Sequence, residues 1–279
     1  MIGSNAMLVD LNISMWTGRK MDKKVSEEVD VSKSTKARAG NYHKNLLAGS
    51  DKLDKIQKVV TAVRAWNYQQ TLPWSDGGSR LLPMKSFFDY KATLGNYEAQ
   101  YNTAVDEFLE EYPQLVSSSA FTLGELFDRG EYPTADSLRS RFGFKYVFCP
   151  VPDAGDFRID VEETAKQELQ QQYKDYYEGK LADAMKDAWD RLHKTLTHLS
   201  DRMDYTDENK KKFWDSTITN ASELCGLLTS LNVTNDPKLE AMRQKLEKAL
   251  AGVEPSHIKE SEAIRSSVKA KVDEILNMF

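Results

Sequence analysis

The residues whose types and spacing could do chemistry gather on one predicted helix. Asp183, Asp187 and Asp190 stand at i, i+4 and i+7, His193 follows Asp190 by three, and His198 precedes Asp201 by the same step. A carboxylate and an imidazole one helical turn apart can meet one cation, as in the Glu-x-x-His pairs of di-iron bundles. Those centres also need a second pair and carboxylates from other helices. Moreover, His193 and His198 lie about 140° apart around a helix axis and cannot share an ion. The spacing therefore favours surface or capping histidines, and no metal, cofactor or catalytic residue is assigned. Cys149 and Cys225 lack CxxC spacing and read as reduced thiols, Cys149 at the end of an apolar strand. Signatures for phosphate loops, dinucleotide folds, zincins, nucleophile elbows and EF-hands are absent.

Two further constellations suit binding rather than catalysis. Between Thr17 and Ala48 stand Arg19, Lys20, Lys23, Lys24, Lys33, Lys36, Arg38 and Lys44 against Asp22, Glu27, Glu28 and Asp30, so this arm carries +4 and the remainder −9. Such an arm could touch phosphate or an acidic partner. Its charges are interspersed, which equally describes a solvated connector. The stretch from Thr71 to Pro83 combines Trp74, Asp76, Gly77, Gly78 and Arg80, an aromatic anchor, a pliant backbone and a bidentate donor, the composition of binding hot spots. The competing reading folds Trp74, Leu81 and Leu82 back as a lid, with Arg80 bonding helix carbonyls. Tyr97, Tyr101, Tyr112, Tyr173, Tyr176 and Tyr177 keep helical spacing and read as packing rather than base-stacking residues.

Composition narrows the classes. Across 279 residues, 38 Lys plus Arg oppose 43 Asp plus Glu, for a net charge of −5 with 40% hydrophobic residues. That argues against a collagen-like, disordered or generally basic nucleic-acid-binding chain. No membrane-span or signal-sequence pattern stands out, so the expectation is a cytoplasmic protein. Residues 1–6, with Gly3-Ser4-Asn5-Ala6, resemble an expression remnant, and Met7 reads as the native start.

The elements that must position these residues follow from periodicity. Val9, Leu11, Ile13 and Met15 alternate with polar residues and predict a strand over 8–16. A short helix is expected near Lys23–Val29, followed by a mobile run over Ser32–Gly40. Leu53, Ile56, Val60, Val63 and Trp66 predict a helix ending near Gln70, and residues 71–83 a loop. Phe87 to Tyr112 predicts its antiparallel partner, stopped by Pro113. Residues 115–127 read as small pieces, with a short helix over Thr134–Arg141. Strands over 143–149 and 156–161 form an expected hairpin. One long helix or two collinear ones span Val161–Asp204, and further helices cover Thr206–Leu231, Asp236–Leu250 and Ser256–Asn277. The expected fold is α+β and predominantly helical: a small antiparallel three-stranded sheet, helix hairpins and a long-helix C-terminal bundle. Its domains would be a mixed region over 7–161 and a helical region over 162–279. A helix so long makes homo-oligomerisation plausible.

Residues 7–24 (MLVDLNISMWTGRKMDKK), 71–83 (TLPWSDGGSRLLP) and 132–161 (YPTADSLRSRFGFKYVFCPVPDAGDFRIDV) resemble, in order and spacing, an uncharacterised family of tailed-phage and mobile-element proteins. The resemblance extends from Met7 to the C-terminus and assigns no catalytic residue. It implies a bacteriophage protein in the host cytoplasm, encoded near a MoxR-type AAA+ ATPase and a von Willebrand A-type protein. The implied role is a non-enzymatic accessory of an ATP-driven complex that works through protein contacts. A nucleic-acid-associated factor using the basic arm is the alternative, and a metal-dependent enzyme around Asp190 and His193 the more remote one.

Overall fold

Alternating burial along Val9 to Ser14 marks the first strand, β1 (Ala6–Ser14), in a computed structural model that describes residues 4–75, 77–152, 163–206 and 213–279. The chain continues through β2 (Arg19–Asp22), α1 (Lys23–Ser32), β3 (Tyr42–Asn45), α2 (Lys52–Gln70), β4 (Leu72–Pro73) and β5 (Arg80–Pro83). Then come α3 (Phe87–Leu123), α4 (Ala135–Arg139), β6 (Gly143–Pro150), α5 (Glu163–Met203), α6 (Ser216–Leu231), α7 (Pro237–Leu250), α8 (Pro255–Glu260) and α9 (Glu262–Leu276). The fold is α+β and mostly helical.

The expected three-stranded sheet is corrected. Four strands order as β4-β5-β1-β6, and β2 and β3 pair separately. The extra strands come from the stretch read as a loop: Leu72 pairs with Leu81 and Pro73 with Arg80, while Leu81 pairs with Leu8. Its glycines, Gly77 and Gly78, sit at the turn, while Pro73 and Pro83 lie in the strands. Gly78 adopts a φ of +105°, and Ser75 N–H donates to the Ser79 carbonyl across the turn. The 156–161 strand of the expected hairpin lies outside the described residues.

The chain divides into two compact units, each assembled from separated stretches: residues 1–10, 67–90 and 147–279 in the first, 11–66 and 91–146 in the second. The sequence boundary at residue 161 falls inside the first, outside the described residues.

In the first unit, α5 buries Ala184, Met185, Ala188, Leu192, Leu196, Leu199 and Met203 against the apolar residues of α6, α7, α8 and α9 and of the β4-β5 hairpin. At 1.5 Å per residue this helix is about 60 Å long. None of its described residues from 165 to 183 is buried, so its proximal half is a mainly polar surface that calls for little apolar cover. Asp236 caps α7 through one carboxylate oxygen, which accepts from Lys238 N–H, and takes Trp189 Nε1–H on the other at 3.2 Å. The expected 256–277 helix is broken at Ser261, whose extended backbone ends α8 and whose hydroxyl accepts from Ile264 N–H to start α9.

In the second unit, Ile56, Val60 and Val63 of α2 and Leu94, Tyr101, Val105 and Phe108 of α3 are buried. The rings of Trp66 and Tyr97 meet at 5.5 Å. α3 does not stop at Pro113, as expected, but continues to Leu123. Proline removes one hydrogen bond and crowds the preceding turn, a cost of about 3 kcal/mol. Tyr112 and Val116, on either side, are both buried, and the Tyr112 hydroxyl donates to the Pro133 carbonyl at 3.0 Å. Core contacts thus offset the local penalty.

The polar stretch after Thr17, read as a connector, is folded around Lys44. Gly18, at φ +63°, turns the chain in a backbone conformation that strains other residues, and a Cβ there would lie 2.7 Å from Leu53 Cδ1 and push that side-chain tip aside. β2 and β3 then pair from Arg19–Asn45 to Asp22–Tyr42. Lys44 Nζ is buried, donating to the Leu126 carbonyl at 2.8 Å and lying 3.2 Å from Asp22 and 2.8 Å from Glu131. Burial opposes its charge, but Glu131 and Asp22 outweigh that and raise its pKa above the ordinary 10.5.

Replacing Lys44 by Met leaves Asp22 and Glu131 facing each other without a cation and is expected to cost about 2–3 kcal/mol in denaturant unfolding. A raised lysine pKa contributes stability in full below the unfolded value and loses it as pH rises through the folded one. The gap between native chain and variant should therefore hold at neutral pH and close in strong alkali.

Candidate functional site

The strongest polar convergence in the first unit lies at the C-terminal end of α2. The last carbonyls of any helix lack intrahelical donors and carry partial negative charge. Here two arginines supply both needs. Arg191 of α5 donates Nη1–H to the Gln69 carbonyl at 2.7 Å, and Nη2–H to those of Tyr68 at 2.9 Å and Thr71 at 2.8 Å. Its Nε lies 2.7 Å from Asp187 Oδ2, one turn earlier. Arg80 of β5 donates Nε–H to Thr71 Oγ1 at 2.6 Å and Nη2–H to the Thr71 carbonyl at 3.0 Å. Its guanidinium lies 4.4 Å from the Tyr68 ring centroid. Burial first, and then the Arg191 charge, pulls the Arg80 pKa below its ordinary value. Below them, Tyr90 donates its hydroxyl to Asn67 Oδ1 at 2.7 Å, and burial pushes that phenol far up.

This arrangement decides between the two readings of the 71–83 stretch. Trp74 is buried and stacks on Tyr177 at 5.8 Å, Leu81 and Leu82 are fully buried, and Arg80 bonds the helix end. The lid reading holds for these residues, and Trp74 is not a free anchor. Tyr177 packs against Tyr173 and Tyr176 as well, and burial pushes its phenol up to about 12. Gly77 and Gly78 are exposed at the turn, and Asp76 lies outside the described residues.

Beside the arginines opens a groove of about 510 Å³ between α5, α6 and the end of α2. Its lining includes the half-buried Leu224 and Leu227 with Glu223 of α6, Arg191 and Lys194 of α5, and Tyr68 from the end of α2. Spacing analysis missed it, although a signal existed. α6 has a single charged residue, Glu223, and its apolar positions extend past the buried stripe of Ile218, Ala221, Cys225, Leu228 and Leu231 to Leu224 and Leu227. These two leucines flank the buried stripe, pack partly against the core and widen the apolar face of α6 toward the groove.

The acid-imidazole cluster on α5 is used differently from a metal site. Asp187 pairs with Arg191, the His193 ring meets Phe279 edge-on at 5.0 Å, and His198 Nε2 accepts from Arg202 Nε–H at 3.3 Å. A second Glu-x-x-His spacing, Glu254 to His257, sits exposed at the start of α8 and not beside His193 as a partner pair. Among the described residues no three His, Cys, Asp or Glu side chains converge as ligands. Cys225 is buried, its thiol pushed up to about 11 by burial, and Cys149 is half-buried. A thiol so raised is a poor nucleophile at neutral pH.

Of the basic arm, Arg19, Lys20, Lys23, Lys24, Lys33, Lys36 and Arg38 are exposed, whereas Lys44 faces the interior ion pairs described above. The exposed seven lie along β2, α1 and the segment after it, in the second unit. No family model, curated protein or solved structure matches this chain.

Arg191→Met removes three carbonyl donations and leaves Asp187 without its cation, with an expected loss of about 2–3 kcal/mol in thermal or denaturant unfolding. Arg191→Lys should recover only part of it, because an ammonium cannot reproduce the planar fork.

Proposed function

We propose that this chain is a non-enzymatic protein that works through protein contacts, as an accessory of an ATP-driven remodelling complex in a phage or mobile element. The observation that carries the reading is the α5–α6 groove, whose lining combines the apolar Leu224 and Leu227 with Arg191, Lys194 and Glu223. Apolar side chains supply burial on association and the flanking charges supply register, the usual division of labour in protein interfaces. Exposed aromatics support the same reading: Phe88 is 81% and Phe121 92% exposed, more than solubility alone favours. The partner class rests on the sequence resemblance, whose family is encoded beside a MoxR-type AAA+ ATPase and a von Willebrand A-type protein. No helix among the described residues is long and apolar enough to cross a membrane.

A second reading draws on the seven exposed cations of the arm, which form no ion pair with any described residue. On this reading the arm meets nucleic-acid phosphates, and binding falls steeply with salt.

Two outcomes test these readings. Co-expressed with the neighbouring ATPase and von Willebrand A-type protein, the native chain should co-purify with one of them. Leu224→Asp with Leu227→Asp, at half-buried positions, should abolish this while leaving the circular dichroism spectrum intact; unchanged capture counts against the groove. For the second reading, replacing the seven cations by Gln should eliminate retardation of duplex or single-stranded DNA. Deleting the arm is uninformative, because it also removes Lys44 from the core.

A further inference from the structure

A second groove, in the second unit, lies between α1 and the backbone that leaves its C-terminal end and returns alongside it. That returning segment is strapped to the helix at both ends. Thr35 N–H donates to the Asp30 carbonyl at 3.0 Å and Ala39 N–H to Asp30 Oδ1 at 3.2 Å. At the other end Tyr42 N–H donates to Ser26 Oγ at 2.9 Å, and that hydroxyl in turn donates to the Asp22 carbonyl at 2.6 Å. Ser34 takes a left-handed backbone at φ +52° to make the reversal, a conformation non-glycine residues adopt only when surroundings hold them there. The stretch expected to be mobile is therefore pinned at defined points, and it frames an opening of about 330 Å³.

The walls of this opening are apolar. Val29, 50% exposed, and Tyr42, 40% exposed, face it together with Ala39 and Gly40. The volume is at the lower end of the range for ligand pockets, enough for one or two apolar side chains. Around it the charge is one-sided. Lys33 borders the opening, and Lys36 and Arg38 stand exposed on the strap itself. Asp30 is the one acid on the wall, and its carboxylate holds the Ala39 amide. Glu27 and Glu28 of α1 lie roughly 100–160° around the helix from Val29, away from the face that carries Ser26, Val29 and Lys33.

We propose that this groove docks an acidic peptide segment of a protein partner, one apolar side chain seated between Val29 and Tyr42 and flanking carboxylates meeting Lys33, Lys36 and Arg38. The proposal rests on the protein-contact reading and names a second surface and a ligand chemistry for it. Charge complementarity selects the acidic partner. The apolar walls select a peptide over a nucleic acid, since phosphates would use the cations and leave Val29 and Tyr42 idle.

The test is selection of a random peptide display library on the immobilised full chain. Enriched sequences should carry several Asp or Glu residues around one Leu, Ile, Phe or Trp. The best synthetic peptide should bind saturably in fluorescence anisotropy and weaken with salt. It should lose about tenfold in affinity, or more, on Val29→Glu and again on Lys33→Glu with Arg38→Glu. Val29 is half exposed, so the variant should unfold at the same denaturant concentration as the native chain. Enrichment of neutral or basic sequences, no enrichment at all, or equal binding by Val29→Glu would overturn the proposal. So would a single-stranded oligonucleotide that displaces the peptide and binds Val29→Glu undiminished, which returns the arm to nucleic acid. ATPase capture retained in Val29→Glu, with no peptide selected, overturns this inference and leaves the protein-contact reading standing.

Discussion

The open C-terminal end of α2 is the constraint on which the first unit turns. Its final carbonyls need donors, and the chain provides them from two places, Arg80 on β5 and Arg191 on α5. One pair of guanidiniums thereby ties a helix, a hairpin and the long helix to a common point. Two like charges so close are tolerable because the carbonyl dipoles and Asp187 share the field between them. The same bonds aim Trp74 inward onto Tyr177 and leave Tyr68, Arg191 and Lys194 bordering the α5–α6 groove. Structure and candidate surface have a single physical origin there.

Lys44 has the corresponding role in the second unit. A buried ammonium is costly unless paired, and here it is held by two carboxylates and a carbonyl drawn from β2 and from the turns after α3. It closes the β2–β3 pair against the rest of that unit, so the exposed cations beside it stand on a folded base. The arm is not a tail that carries charge. This matters for function, because cations presented at fixed positions around an apolar opening can discriminate partners, whereas a flexible basic tail attracts any polyanion.

The two surfaces share a design. Each sets a small apolar area beside charged side chains, and neither, among the described residues, contains a converging set of nucleophile, base and acid. The groups that looked most chemical in the sequence have structural work: Asp187 braces Arg191, and His193 packs on Phe279. Leu224 and Leu227, packed partly against the core beside the buried stripe of α6, also line the groove.

By itself the sequence determined what local rules govern. The α5 stripe, the Asp236-Pro237 start of α7, the Thr134 cap of α4 and the alternation of β1 all follow from periodicity and from side chains that satisfy neighbouring backbone groups. Tertiary structure alone decided that Pro113 stays helical, that two residues at Leu72 make a strand, that Lys44 is buried while seven neighbouring cations are not, and that Arg191 meets Arg80. Each of those outcomes depends on a partner distant in the chain, whose contribution outweighs a local preference of a few kcal/mol. Apart from Leu72 and Leu81, which pair across a short turn, the partners lie too far apart for one helix-length window to hold both, so only the folded arrangement could show which preference prevailed.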